Sequence, residues 1–233
     1  MYRQLSNSAY PNRISELAPS NLAVAQSGQL DAMVALEQIG TRLNFVRNQE
    51  IYAEGDGADC WYKVISGAVR ICKLLADGRR YIAEFCFGGD CFGLDSAVIR
   101  AFSAEAVGDA IVMRLPRKAT EQLADRNPAL ARLLRDTMLR DLTNAHGRML
   151  MLGRMTAPER VAAFLLEMFD RRDAAKTLNL PMSRNDIADY LGLTIETVCR
   201  LLSALKREGA IGIPNSHQVE LHDRAALEAF AEA

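Results

Sequence analysis

Between Ser183 and Ile211 the chain reads SRNDIADYLGLTIETVCRLLSALKREGAI, and the side chains in it with useful chemistry are Glu196 and Arg200. They stand four residues apart, one turn of a helix. A guanidinium can donate two parallel hydrogen bonds to O6 and N7 of a guanine. A carboxylate can accept from the amino group of cytosine or adenine, and at this spacing it can also brace the arginine. Ile195 and Cys199 lie beside them with side chains able to meet a thymine methyl. Thr194, Thr197 and Ser203 carry hydroxyls suited to phosphate oxygens.

Such a strip works only if a rigid pair of helices presents it. Ser183 is placed to cap a first helix, with Asp186 three residues on as its reciprocal partner. Ile187, Ala188 and Leu191 form one apolar face, and Ala188 is small where a second helix must cross closely. Gly192 supplies a left-handed turn. Leu193, Val198, Leu201, Leu202 and Leu205 then give the second helix its buried face. The exposed strip begins at that helix's N-terminus, the end that enters a major groove in a helix-turn-helix. The same spacing also fits an ordinary αα-hairpin with a solvated Glu–Arg bridge. The small residue, the glycine turn and the apolar positions together favour the DNA reader.

Bulk composition limits the alternatives. The chain has 233 residues, 49% hydrophobic and 24% charged, enough for one large or two modest domains. No stretch of 18 apolar residues occurs, so a membrane span is not expected, and the first 30 residues show no secretory signal. Five dispersed cysteines fit a reducing cytoplasm better than a disulfide framework. Net charge is −1, and from Arg154 onward ten Lys/Arg face twelve Asp/Glu. DNA affinity must therefore come from local placement of Arg184, Arg200, Lys206 and Arg207, and from pairing two copies. No Gly-rich phosphate loop, Ser/His/Asp order or HExxH motif supports an enzyme.

Along the chain, residues 1–30 read as a loosely ordered arm rich in Ser, Asn, Pro and Gln. From Leu43 to about Leu115, about seven short strands alternate with turn signals, Asp77-Gly78 being the strongest hairpin among them. That pattern predicts an antiparallel sandwich or jelly roll. A helix over Pro116–Arg126 follows, then a long one from Pro128 to Gly153. Leu134, Met138, Leu142, Ala145, Met149 and Leu152 form a stripe on it, suited to a homodimer seam or to packing against the sandwich. A hinge near Arg154–Glu159 leads to a helix over Pro158–Arg171. IGIPNSHQVEL after the helix-turn-helix reads as a two-stranded wing, with His217 positioned for phosphate, and Asp223–Ala233 as a closing helix.

This order resembles the Crp/Fnr family of bacterial transcription regulators over about residues 35 to 222. IYAEGDGADCWYKVISGAVRICKLLADGRRYIAEFCFGGDCFGL is similar to the family's β-roll, and IETVCR to the Fnr-type recognition sequence. Within the family the likeness points to FixK-type regulators, which control oxygen-limited respiration and nitrogen-fixation genes. The resemblance implies an α+β chain: flexible arm 1–30, cyclic-nucleotide-binding-like β-roll 31–126, dimerisation helix 127–153 and winged helix-turn-helix 154–233. It implies that Glu196 and Arg200 read an inverted TTGA-type repeat in double-stranded DNA. It also implies a homodimer that activates transcription by contacting RNA polymerase.

Departures from the family pattern bear on control. Cyclic-nucleotide-binding members use a Glu in a Gly-Glu-Leu turn and an Arg before a small residue. Here those places read Phe92-Gly93-Leu94-Asp95 and Ala101-Phe102-Ser103-Ala104, with Arg100 close by. Without the charge-assisted partner a bound phosphate loses much of its energy, so no cAMP binding is expected. No cysteine precedes Cys60, so the N-terminal iron–sulfur cluster of Fnr is not expected, and no metal or other cofactor is either. Cys60, Cys72, Cys86 and Cys91 read as small apolar residues on strands. Control falls to expression level alone or to oxidation of Cys199, which would add bulk and charge facing DNA; the alternative is a regulator gated by cAMP or another small molecule in the β-roll, for which Arg100 is the residue at hand. A thiol at position 183 would be sensitive for the same reason, but the residue is Ser183.

Overall fold

The structure is a computed structural model and describes residues 34–95, 97–172 and 174–231. The arm expected over residues 1–30 lies outside the described residues. Residues 34–39 belong to a helix, α1. Eight strands follow: β1 (Thr41–Phe45), β2 (Glu50–Tyr52), β3 (Cys60–Ser66), β4 (Ala68–Leu74), β5 (Arg80–Phe87), β6 (Cys91–Phe92), β7 (Ser103–Ala106) and β8 (Ala110–Pro116). They form two antiparallel four-stranded sheets, β1-β8-β3-β6 and β2-β7-β4-β5. The expected seven strands are eight, because β6 is only two residues long and leaves no alternation to read.

Turn chemistry sets the register. Gly78 has φ +83° in the β4–β5 hairpin, as the Asp-Gly pair predicts. Gly67, φ +84°, lies against the backbone of Asp109 and Ala110, where any Cβ would collide. Between the sheets lie Tyr52, Tyr62, Val64, Val69, Cys86, Phe92, Ala104 and Val112. The outer face of the first sheet gives Trp61, Met113 and Leu115 to a second cluster. On the other sheet, the register shifts between Ile71 and Cys72. This bulge brings Ile82 onto the same face as Phe85 and Phe87.

One long helix carries the chain from this roll to the C-terminal head. After α2 (Arg117–Arg126), the 27-residue α3 (Pro128–Arg154) runs about 40 Å. Pro128 occupies its first turn, and the Asn127 side chain accepts from the amides of Ala129 and Leu130. The head begins with α4 (Ala157–Arg171), whose first turn is closed by the Thr156 amide donating to Glu159. Next come β9 (Thr177–Asn179), α5 (Arg184–Leu191), α6 (Ile195–Arg207), β10 (Ile211–Asn215), β11 (Gln218–Leu221) and α7 (Arg224–Ala231). The expected two-stranded wing is a three-stranded sheet, β10-β11-β9. The third strand is three residues long, and its pairing partner lies some 40 residues downstream, so nothing local announces it.

Roll and head share one apolar core. Ala68, Ile82, Phe85 and Phe87 of the roll pack with Phe164, Leu165, Ile187 and Tyr190 of the head. The Tyr190 ring lies 5.1 Å from Phe85 and 5.5 Å from Phe164. Among the described residues no helix is long and apolar enough to cross a membrane.

Candidate nucleic-acid interface

The head's two central helices are built as their residues dictate. Ser183 accepts from the Asp186 amide and Asp186 accepts from the Ser183 amide, both bonds of a capping box. Gly192 ends α5 at φ +64°, ψ +39°, the left-handed conformation that glycine adopts without strain. Leu193 then donates back to the carbonyl of the small, buried Ala188. Helix α6 starts at Thr194, whose hydroxyl accepts from the Thr197 amide at 3.3 Å and touches the Thr197 hydroxyl at 3.2 Å. Val198, Leu202 and Leu205 are buried beneath it, with Leu193 and Leu201 half-buried at the edges.

What remains outside is the predicted strip: Ile195, Glu196, Cys199, Arg200 and Ser203 are all exposed. Its polar groups are not wired as the spacing suggested. Among the described residues no ion pair joins Glu196 to Arg200. The Glu196 carboxylate turns instead toward its own amide and the Thr194 hydroxyl, which hold it below the usual carboxylate range. Free amides at a helix start compete well with a distant guanidinium in water. Arg200 is exposed, and among the described residues no hydrogen bond or ion pair engages it. The Ser203 hydroxyl donates to the Cys199 carbonyl at 2.8 Å, so its lone pairs face outward while its proton is engaged.

The flanking cations differ in position. Lys206 is exposed near the end of α6. Arg184 is half-buried in the first turn of α5, where burial pushes its guanidinium down, and Cys199 lies near it. His217, on the turn joining β10 and β11, places Nδ1 3.1 Å from the Leu180 carbonyl and keeps the rest of its ring exposed. Of the cysteines, Cys72 and Cys86 are buried and Cys60 and Cys91 half-buried, while Cys199 is exposed. Burial pushes the Cys72 thiol up to about 11 and Cys86 further in the same direction, which keeps both protonated and inert.

The α3 stripe divides into three parts. Leu134 is buried in its own chain with Leu36, Trp61 and Leu115, which takes it off the exposed face. Leu152 is half-buried and approaches Gly192 of the head. Between them Met138, Leu142, Ala145 and Met149 are exposed, together with Leu139 and Leu150, which the three-or-four-residue stepping had passed over. A row offset by one residue, read as a heptad, would have found Leu139.

Inside the roll, Arg100 is enclosed by the protein's own groups. Arg100 is 2% exposed. It donates to the Gly93 carbonyl at 2.7 Å, to Asp95 at 2.7 Å and to the Cys60 carbonyl. Its guanidinium lies 4.3 Å from the Tyr52 ring centroid. Phe102 points elsewhere, toward Tyr81 and Lys73.

Comparison with known proteins agrees with this architecture. Residues 159–230 match the model of the Crp-like helix-turn-helix domain, and residues 42–127 match that of the cyclic nucleotide-binding domain. The nitrogen fixation regulation protein FixK of Azorhizobium caulinodans is 43% identical over 221 residues, covering 93% of this chain and 88% of that protein. This chain is a FixK-type member of the Crp/Fnr family. Other FixK-type relatives include the FixK of Bradyrhizobium diazoefficiens, 39% identical over 94% of each chain. The solved structure of FixK2 from Bradyrhizobium japonicum superposes with a TM-score of 0.80 at 44% identity, covering 84% of this chain and 98% of that one. As a Crp/Fnr-family transcription regulator, the FixK-type chain carries its DNA-binding element in α5 and α6.

Proposed function

We propose that this protein is a cytoplasmic, homodimeric transcription activator that reads an inverted TTGA-type repeat without a small-molecule effector and then recruits RNA polymerase. The observation that carries the reading is the exposed strip of α6, where Arg200 is uncommitted and Glu196 is oriented by the helix start. Arg200 donates to a guanine and Glu196 accepts from a base amino group, with Ile195 and Cys199 against thymine methyls. Thr194, Thr197, Arg184, Lys206 and His217 contact the sugar–phosphate backbone, as does Ser203 once its hydroxyl proton turns from the Cys199 carbonyl to a phosphate oxygen. The exposed apolar row Met138, Leu142, Ala145 and Met149, joined by Leu139 and Leu150, forms the seam with a second copy. Two heads then supply contacts that one near-neutral head lacks.

Effector independence draws support from Arg100, whose ion pair and carbonyl bonds fill the roll interior. A thiol switch at Cys199 draws support from its exposure on the DNA-facing strip beside Arg184. An effector-gated regulator is the second reading, favoured by the match of residues 42–127 to the cyclic nucleotide-binding domain. A fluorescence anisotropy titration at fixed salt separates the two, comparing a palindromic TTGA–TCAA duplex with a scrambled one, with and without cAMP. Tight, selective binding without cAMP supports the proposal. Selectivity that appears only with cAMP favours the second reading, and equal binding to both duplexes overturns the operator.

A further inference from the structure

Asp186, the reciprocal partner of the Ser183 cap, is also an interdomain contact. Asp186 is 4% exposed and sits where α5 meets the roll. Its Oδ2 closes the Ser183 cap, while its Oδ1 accepts from Arg70 of β4 at 3.2 Å and from Arg80 of β5 at 2.5 Å. Arg80 also donates to Asp189, one turn further along α5, at 2.8 Å. Arg70 is held from behind by Glu105 of β7 and by Asn48 at 3.1 Å. Asn48 is the one described non-glycine residue with positive φ, +63°. Two guanidiniums thus face three carboxylates, Glu105, Asp186 and Asp189. The cluster has no surplus positive charge with which to trap an anion. Its geometry is that of a clasp.

We propose that the Arg80–Asp186–Asp189 cluster, backed by Arg70, is a latch that sets the orientation of the DNA-binding head on the roll, and that Arg80 and Asp189 are positioning residues for DNA recognition. The shared apolar core holds roll and head together but is tolerant of sliding, because dispersion and burial are not directional. A forked guanidinium bonded to two carboxylates on successive turns of one helix is directional. It fixes how α5 is rotated on β5, and α6 follows through the Gly192 turn. In a dimer, small head rotations change the distance between the two recognition helices, which must match half-sites about 34 Å apart.

The functional half of this inference rests on the DNA-binding reading, so its test has one readout with DNA and one without. Full-length parent, Arg80→Asp, Asp189→Arg and the swap Arg80→Asp/Asp189→Arg are compared, with the milder Arg80→Gln in case reversal prevents folding. Small-angle X-ray scattering without DNA reports head orientation; anisotropy with the palindromic duplex reports recognition. Either reversal, or Arg80→Gln, is expected to broaden the scattering distance distribution and weaken binding by about tenfold or more. The swap restores a pair between positions 80 and 189 but leaves Asp186 with Arg70 alone, so it is expected to recover part of the parental profile and part of the affinity. Parental scattering in the single variants overturns the latch whether or not DNA binds. Altered scattering with parental affinity overturns the positioning role, and a swap that recovers neither readout overturns the pairing. If the parent itself fails to select the duplex, the operator reading fails while scattering still decides the latch.

Discussion

Arg100 and Asp95 form an ion pair of 2.7 Å inside the β-roll, and the Arg100 side chain is only 1% exposed. Three further arrangements depend on that cation: the Gly93 carbonyl, the Cys60 carbonyl and the Tyr52 ring all face it. A Cβ at Gly93 would come within 2.7 Å of its Nη1, so the glycine turn and the arginine are mutually dependent.

Removing this guanidinium leaves a carboxylate and two carbonyls facing a void. Arg100→Ala is expected to lose about 3 kcal/mol, the lower end for breaking a buried pair, because Asp95 retains some solvent contact. Urea unfolding at neutral pH measures it. A loss below about 0.5 kcal/mol would show that the arginine is a passenger in the roll.

Stability should also carry a signature of Glu84. Burial, followed by the neighbouring Asp141 carboxylate, pushes its pKa up to about 7, against the pull of Arg171. The folded state therefore holds this proton more tightly than the unfolded state does. Stability from this group is full below the ordinary carboxylate value and declines as pH rises toward 7. Glu84→Gln should remove that slope and stabilise the protein at pH 8 by about 1–3 kcal/mol. Thermal unfolding of both proteins at pH 5 and pH 8 checks it, and equal slopes would count against the assignment.

Base reading should be lost one side chain at a time. Arg200→Ala is expected to cost about 1–3 kcal/mol per half-site and to relax preference at one base pair. Glu196→Ala should relax preference at another. Lys206→Ala should weaken binding to all sequences alike and reduce the salt dependence. If Arg200→Ala and Glu196→Ala each bind the TTGA duplex as the parent does, α6 is not the reading helix.

Charge placed in the exposed part of α3 should separate the copies. Met138→Glu or Leu142→Glu puts a carboxylate into the proposed seam, with little effect inside the protomer since both sites are exposed there. Sedimentation velocity should then report a protomer of 25.7 kDa. Leu134→Glu should instead unfold the roll's contact with α3, because that residue lies in the chain's own core.

The helix-turn-helix was legible in the sequence because its determinants are local. The Ser183 cap, the left-handed Gly192 and the 3.6-residue period of Val198, Leu202 and Leu205 each act within a few residues, and Asp77-Gly78 does the same for its hairpin. Exposure of the Glu196–Arg200 strip follows from that period alone. Tertiary structure decided what depends on contacts across long loops. Asp186 could be read as a capping residue, but its partner Arg80 is 106 residues away. The third wing strand exists only because β11 lies beside it. The stripe on α3 has one period from end to end, yet Leu134 enters the core and Leu142 does not, because the apolar cluster of Trp61, Met113 and Leu115 meets only the first turns of that helix. A sequence pattern states that a face is apolar; which neighbour covers it is settled by packing.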